Sequence, residues 1–311
     1  MKRSLGLLWA SALALTTVGI IALSVGCAED DKDTSTGGSG GTGEGGTGNG
    51  GTGNGGTGEG GSGNNGSGCY TGQTKTVAEV TDTALDTAVE ISGIATTKRV
   101  VASFSKNTLS CLWAVFVKDP DTNRGLMVIS YGDKAPSDAT TELDCPETGS
   151  AIPADIQPGD VLKIVGKVTE YAPNTADCNG VPKQRQVSTC KVEKTDHQDP
   201  PAPIEVTDLK LLAAGNANYQ GLLVKVSGAG MTYGTNGNPV QAYGAMKIDA
   251  GDGVILEVHN KFFYRRDGSQ QFDNNTPFTS ITGVSHLDYC TWVIQARDKC
   301  TDFNPASKDC P

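Results

Sequence analysis

The chain is short of the residues that most often carry chemistry. Its 311 residues include three histidines, His197, His259 and His286, and aromatic side chains make up 6%. No H-E-x-x-H or other metal-ligand spacing surrounds the histidines, so no zinc-hydrolase motif is present and no metal or cofactor is expected. The cysteines are never close. The nearest pairs have nine residues between them, too far apart for the C-x2–4-C spacing of a zinc finger or ribbon. Basic charge is scarce as well, with 25 Lys and Arg against 35 Asp and Glu, a formal −10. A surface of that sign repels anionic polymers unless one face is locally basic. Helical periodicity is nearly missing, confined to "SAIPADI" (150–156) and "VTDLKLLAAGNA" (206–217), where short helices are expected. These absences point to an all-β chain that is not an enzyme. A hydrolase whose carboxylates meet only in space, as glycosidases require, is the reading they leave open.

Apolar residues and glycine, by contrast, crowd the N-terminal part. Lys2 and Arg3 precede "LGLLWASALALTTVGIIAL" (5–23), an uncharged run closed by small residues, the mark of a cleaved export signal. Leu23-Ser24-Val25-Gly26-Cys27 resembles the lipobox of bacterial lipoproteins, with Leu four rather than three residues before the cysteine. That resemblance implies a signal peptide over residues 1–26, lipidation (diacylglyceryl and an acyl chain such as palmitate) at Cys27, and the membrane as a partner. Two or three acyl chains attach a protein stably where one does not. Ala28 after the cysteine implies, by the same resemblance, an outer-membrane lipoprotein facing the periplasm or the cell surface. An uncleaved anchor and plain secretion are the alternatives.

Residues 27–68 read as a tether. After "AEDDKDTST" come five near-identical pentads over residues 40–64, "GGTGE", "GGTGN", "GGTGN", "GGTGE" and "GGSGN". Glycine has the highest ordering cost of any residue, and nothing here can be buried to offset it. A flexible chain of this length spans roughly 35 Å on average and on the order of 140 Å when taut. The tract also contains accidental motifs. "GTGEGG" (41–46) fits G-x-G-x-x-G and "GGSGG" (37–41) fits a nucleophile elbow, but neither follows a strand or opens a helix.

Setting Cys27 aside leaves Cys69, Cys111, Cys145, Cys178, Cys190, Cys290, Cys300 and Cys310. An even set in an exported chain predicts four disulfides, with 105 possible connectivities. Loss of Lys2 and Arg3 with the signal takes the charge from −10 to −12. Six acidic residues against Lys32 in 28–68 account for −5, leaving −7 on residues 69–311.

That region reads as strands. "VEISGIATT" (89–97), "CLWAVFVKD" (111–119), "GLMVIS" (125–130), "DVLKIVGKVTEY" (160–171) and "QRQVSTCKVEK" (184–194) are rich in β-branched and aromatic residues and divided by Gly, Pro, Asn and Asp. The pattern recurs. "VEISGIATT" matches "VKVSGAGMT" (224–232), "VKDPDTNRGLMV" (117–128) matches "KIDAGDGVIL" (247–256), and "KIVGKVTEY" (163–171) matches "SITGVSHLDY" (280–289). A repeat of that length predicts two similar domains, residues 69–197 and 198–311, joined by the proline-rich "HQDPPAPIEVTD" (197–208). The strand order, the hairpin with Asp and Gly at its turn, and "PGDVLKIVGKVTEY" resemble the OB-fold-like modules of exported bacterial proteins, including those beside secreted nucleases. The arrangement behind a lipobox and Gly-rich tether resembles predicted myxobacterial lipoproteins. The resemblance implies two five-stranded, partly open barrels. Gly93, Gly166, Gly228 and Gly283 fall inside strands, where a small barrel must bend.

Two segments are candidates for binding. Asp119, Asp121 and Asn123 in "DPDTNRG" have the alternate spacing of a calcium loop, but Arg124 and Ser130 stand where an EF-hand has Gly and Glu. A hairpin turn explains the same residues, and "DAGDG" (249–253) at the equivalent place reads likewise. Lys261, Phe262, Phe263, Tyr264, Arg265 and Arg266 interleave aromatic and basic side chains, as single-stranded nucleic-acid grooves do. The bland alternative is barrel packing with charges solvating an edge strand, and the negative charge favours it. The expected role is a non-catalytic binding module of the cell envelope for an extracellular protein or glycan, with single-stranded nucleic acid as the rival ligand.

Overall fold

The computed structural model describes residues 69–171, 178–232, 246–259, 261–262, 272, 276–307 and 310–311. The expected signal segment, Cys27 and the Gly-rich tract to residue 68 lie outside the described residues.

In chain order the first half contains β1 (Gln73–Lys75), α1 (Val77–Val80), β2 (Ala88–Ala95), β3 (Val100–Ser105), β4 (Ser110–Lys118), β5 (Gly125–Tyr131), β6 (Asp160–Tyr171) and β7 (Gln184–His197). The second contains β8 (Ile204–Val206), α2 (Leu209–Ala213), β9 (Leu223–Thr232), β10 (Met246–Gly251), β11 (Val254–His259), β12 (Pro277–Asp288), β13 (Thr291–Gln295) and β14 (Phe303–Asn304). The protein is all-β.

The two halves repeat one topology. In the first sheet the order is β1-β2-β6-β7-β5-β4-β3, and in the second β8-β9-β12-β13-β11-β10. Each pairing keeps its sense. β2–β6 and β9–β12 are antiparallel, as are β6–β7 and β12–β13. The closing pairs β5–β7 and β11–β13 are parallel. The five expected strands of the first barrel are β2, β4, β5, β6 and β7, and pairing of Ile94 with Lys118 and Ala95 with Val117 closes it. Each sheet holds seven strands rather than five. β1 and β8 add a short parallel strand to the same edge, β3 extends β4, and β14 pairs with β12. These additions escape sequence reading because they are two to six residues long with no alternation to detect.

Local chemistry explains the boundaries. Gly159 takes φ +97° and Asp160 N–H donates to Gln157 O at 3.1 Å, so Pro158-Gly159 makes a type II turn into β6. Along β6, Leu162, Ile164 and Val168 are buried, while Lys163 is exposed and Lys167 half-buried. Thr76 and Glu79 form a reciprocal capping box on α1, and Asp208 caps α2 at the matching place in the second half. One helical expectation fails. Residues 150–156 are turns, because Pro153 interrupts any helix there, and Ile152 and Ile156 instead plug the first core.

Each barrel has its own core. The first gathers Val89, Ile91, Trp113, Val115, Val128 and Ile164. The second gathers Val224, Leu256 and Ile281 around Phe272, Phe278 and Phe303, whose ring centroids lie 4.8–5.3 Å apart. All eight cysteines of the folded region are bonded, as Cys69–Cys190, Cys111–Cys145, Cys178–Cys290 and Cys300–Cys310. The third bond joins the two barrels.

Candidate functional site at the seam between the barrels

β4 is buried on both faces. Trp113, Val115 and Val117 point into the first core, while Ala114 and Phe116 point out. With Met127 and Ile129 of β5 they form an apolar layer against Leu223 and Val284 of the second barrel, flanked by Val100, Ala102, Leu112 and Phe262. This is why "CLWAVFVKD" is almost continuously apolar instead of alternating. Where β5 begins, the two backbones touch. A Cβ added to Gly125 would lie 2.4 Å from the carbonyl carbon of Gly221, a contact only two glycines permit.

Polar bolts ring this layer. Arg297 donates through Nη1 to Thr96 O at 3.0 Å, and Lys261 Nζ to Ala102 O at 3.0 Å. Leu287 N–H donates to Gln184 Oε1 at 2.7 Å, and Trp292 Nε1 to Pro182 O at 3.0 Å. Arg297 is itself fixed by a two-toothed pair with the buried Asp302 at 3.1 and 2.6 Å. The second barrel thus lies on three parts of the first: the β4–β5 face, the β2–β4 connection, and the β6–β7 loop carrying Cys178. In OB barrels these parts, the face of strands two and three and the loops beside it, hold oligonucleotides.

A compact charge cluster sits beside the seam. His259 of β11 shares its Nδ1 with Asp288 Oδ2 at 2.9 Å and its Nε2 with Glu257 Oε2 at 3.0 Å. Lys247 reaches Glu257 at 3.5 Å and Lys261 reaches Asp288 at 3.7 Å. Burial opposes the imidazolium, but the two carboxylates more than offset it and raise the His259 pKa to about 9. Burial likewise opposes ionised Asp288, and the His259 hydrogen bond with Lys261 nearby holds it well below the usual carboxylate range. His259 is therefore a cation at neutral pH with both N–H groups engaged, a structural tie rather than a general base.

His286, two residues before Asp288, behaves oppositely. It is buried, edge-on to Phe116 at 5.6 Å and stacked on Phe262 at 6.4 Å, and neither ring nitrogen has a partner. Burial pushes its pKa down to about 4, so it is neutral at pH 7. No sequence signal marks this cluster, since His259 and Asp288 are 29 residues apart and meet only through the sheet.

The candidate residues separate. Of the aromatic and basic segment, Lys261 and Phe262 are turned into the seam. Phe263, Tyr264, Arg265 and Arg266 lie outside the described residues. Asp119 is 1% exposed, and its carboxylate accepts from Asp121 N–H and Thr122 N–H at 3.0 Å each and from Ala78 N–H at 3.2 Å. Burial raises its pKa, but the three amides outweigh it and leave the group more acidic than usual. Asp119 thus organises the hairpin turn, closed by Asp119 N–H to Arg124 O at 2.8 Å, while Asp121 and Asn123 are exposed. Among the described residues no three His, Cys, Asp or Glu side chains are grouped to hold a metal ion.

No family model matches the chain. No curated protein matches it either. Among solved structures it is similar to a protein assigned as an aspartyl-tRNA synthetase from Leishmania major Friedlin, at 10% identity and a TM-score of 0.24, over 43% of this chain and 23% of that one. A likeness that slight carries no inference about function.

Proposed function

We propose that this protein is an exported, lipid-anchored, non-catalytic binding module of the cell envelope, acting on an extracellular protein or glycan. The observation that carries the reading is the occupied face of the first barrel. The surfaces that OB barrels offer to single strands are covered by the second barrel, bolted by Arg297 and Lys261 and cross-linked through Cys178–Cys290. On the second barrel, Lys247, Glu257 and His259 are tied to one another or to Asp288, so their charges are compensated. The net −7 of residues 69–311 opposes nucleic acid further. Four disulfides suit an oxidising compartment outside the cytoplasm. Lipid attachment at Cys27, with a tether after it, accounts for the N-terminal sequence.

The test is fluorescence anisotropy of the oxidised mature chain with labelled oligo-dT at low salt, where electrostatic attraction is strongest. No binding is the expected result. Micromolar binding that collapses with added salt would overturn the reading in favour of a single-strand binder.

A further inference from the structure

A polar groove opens on the first barrel, and none of its lining residues is a bolt of the seam. It has a volume of about 410 Å³ and is lined by Ala84 and six polar side chains, Gln73 and Lys75 of β1, Glu79 of α1, and Asp82, Thr83 and Thr87 of the connection to β2. That volume is within the usual range for small-ligand sites. Two of the six side chains are engaged. Glu79 accepts from Thr76 N–H at 2.8 Å, and Thr83 donates to Glu79 O at 2.8 Å. The side chains of Gln73, Lys75, Asp82 and Thr87 make no hydrogen bond or ion pair among the described residues. An exposed amide and carboxylate and a half-buried ammonium and hydroxyl thus line the groove without a hydrogen-bond partner among the described residues.

We infer that this groove is a saccharide site, taking a neutral, hydroxyl-rich sugar. The inference rests on the binding-module reading above and names its ligand class. Sugar hydroxyls both donate and accept, and they match a lining that offers Asp82 and Glu79 as acceptors, Lys75 as donor, and Gln73 and Thr87 as both. Two carboxylates against one ammonium disfavour an acidic ligand. A polar lining disfavours an apolar one. Tyr70, outside the lining itself, exposed and lying under Lys167 at 4.5 Å, brings an aromatic ring to the same end of β2, where Lys167 pairs with Ala88. A sugar ring offers such an aromatic face its C–H side. Because the groove is built by β1 and α1, outside the five barrel strands, the seam does not close it.

The test is an amide chemical-shift titration of the oxidised mature chain with chitotriose and cellotriose, with tri-galacturonate as the acidic comparison. A neutral trisaccharide is expected to shift amides over residues 73–87, and Asp82→Asn to weaken binding about tenfold. Thr87→Ala is the second variant, should Asp82→Asn alter the fold. Absence of shifts at 73–87 at millimolar sugar, equal affinity in both variants, or preference for the acidic trisaccharide would overturn the inference. Sugar-induced shifts elsewhere would remove the groove while leaving the binding-module reading standing. Oligo-dT bound at low salt would instead remove that reading.

Discussion

Gly125 and Gly221 meet backbone to backbone across the seam, with room for no side chain on either. Gly125→Ala should therefore force the barrels apart locally and cost about 1–3 kcal/mol. Gly221→Ala should cost more, since Gly221 also takes φ +70°, where a Cβ adds strain. Urea unfolding of the oxidised variants measures both.

Phe116 anchors the apolar layer from the first barrel. Phe116→Ala should lower stability by about 3–5 kcal/mol. Tyr131, 54% exposed at the end of the neighbouring strand, is the control, and Tyr131→Ala should change stability by less than about 0.5 kcal/mol.

Two histidines of opposite habit should shape the pH dependence. His259 has a folded pKa raised from 6.5 to about 9, so its contribution is complete below pH 6.5 and is lost as pH rises through 9. His286 has a folded pKa lowered from 6.5 to about 4, so its contribution is present above pH 6.5 and is lost as pH falls toward 4. His259, Lys261 and Asp288 are the charged groups that act on His286. Stability should peak near pH 6.5, with each limb worth on the order of 3 kcal/mol. His259→Gln should flatten the alkaline limb and His286→Phe the acid one, as read from thermal unfolding between pH 4 and 9.

Asp119 should matter for the hairpin and not for calcium. Asp119→Ala should cost about 1.5–3 kcal/mol by orphaning three amides. Calcium or a chelator should leave the melting temperature unchanged, because the Asp119 oxygens are already taken by Ala78, Asp121 and Thr122.

Much of the fold was legible in the sequence because β alternation and turn chemistry are local. Pro158-Gly159-Asp160 announces β6, and the repeat of "VEISGIATT" as "VKVSGAGMT" announces β2 and β9 as equivalents. The seam was written less plainly. The unbroken apolar run of β4 signals burial on both faces but does not say what covers the second one. Lys261 and Phe262 resemble a nucleic-acid groove in one dimension, and only the tertiary packing turns them into the seam. The groove at 73–87 was invisible, since β1 and α1 are three and four residues long and its polar side chains follow no spacing.

The most direct measurement is non-reducing peptide mapping of the disulfides by mass spectrometry. The closed seam requires Cys178 linked to Cys290, so proteolysis should release one peptide pair spanning the two barrels. Five of the eight cysteines lie in the first barrel and three in the second, so one bond must cross whatever the pairing. Cys178 linked to Cys190, with Cys69 joined to Cys290 in its place, would contradict the cross-linked seam.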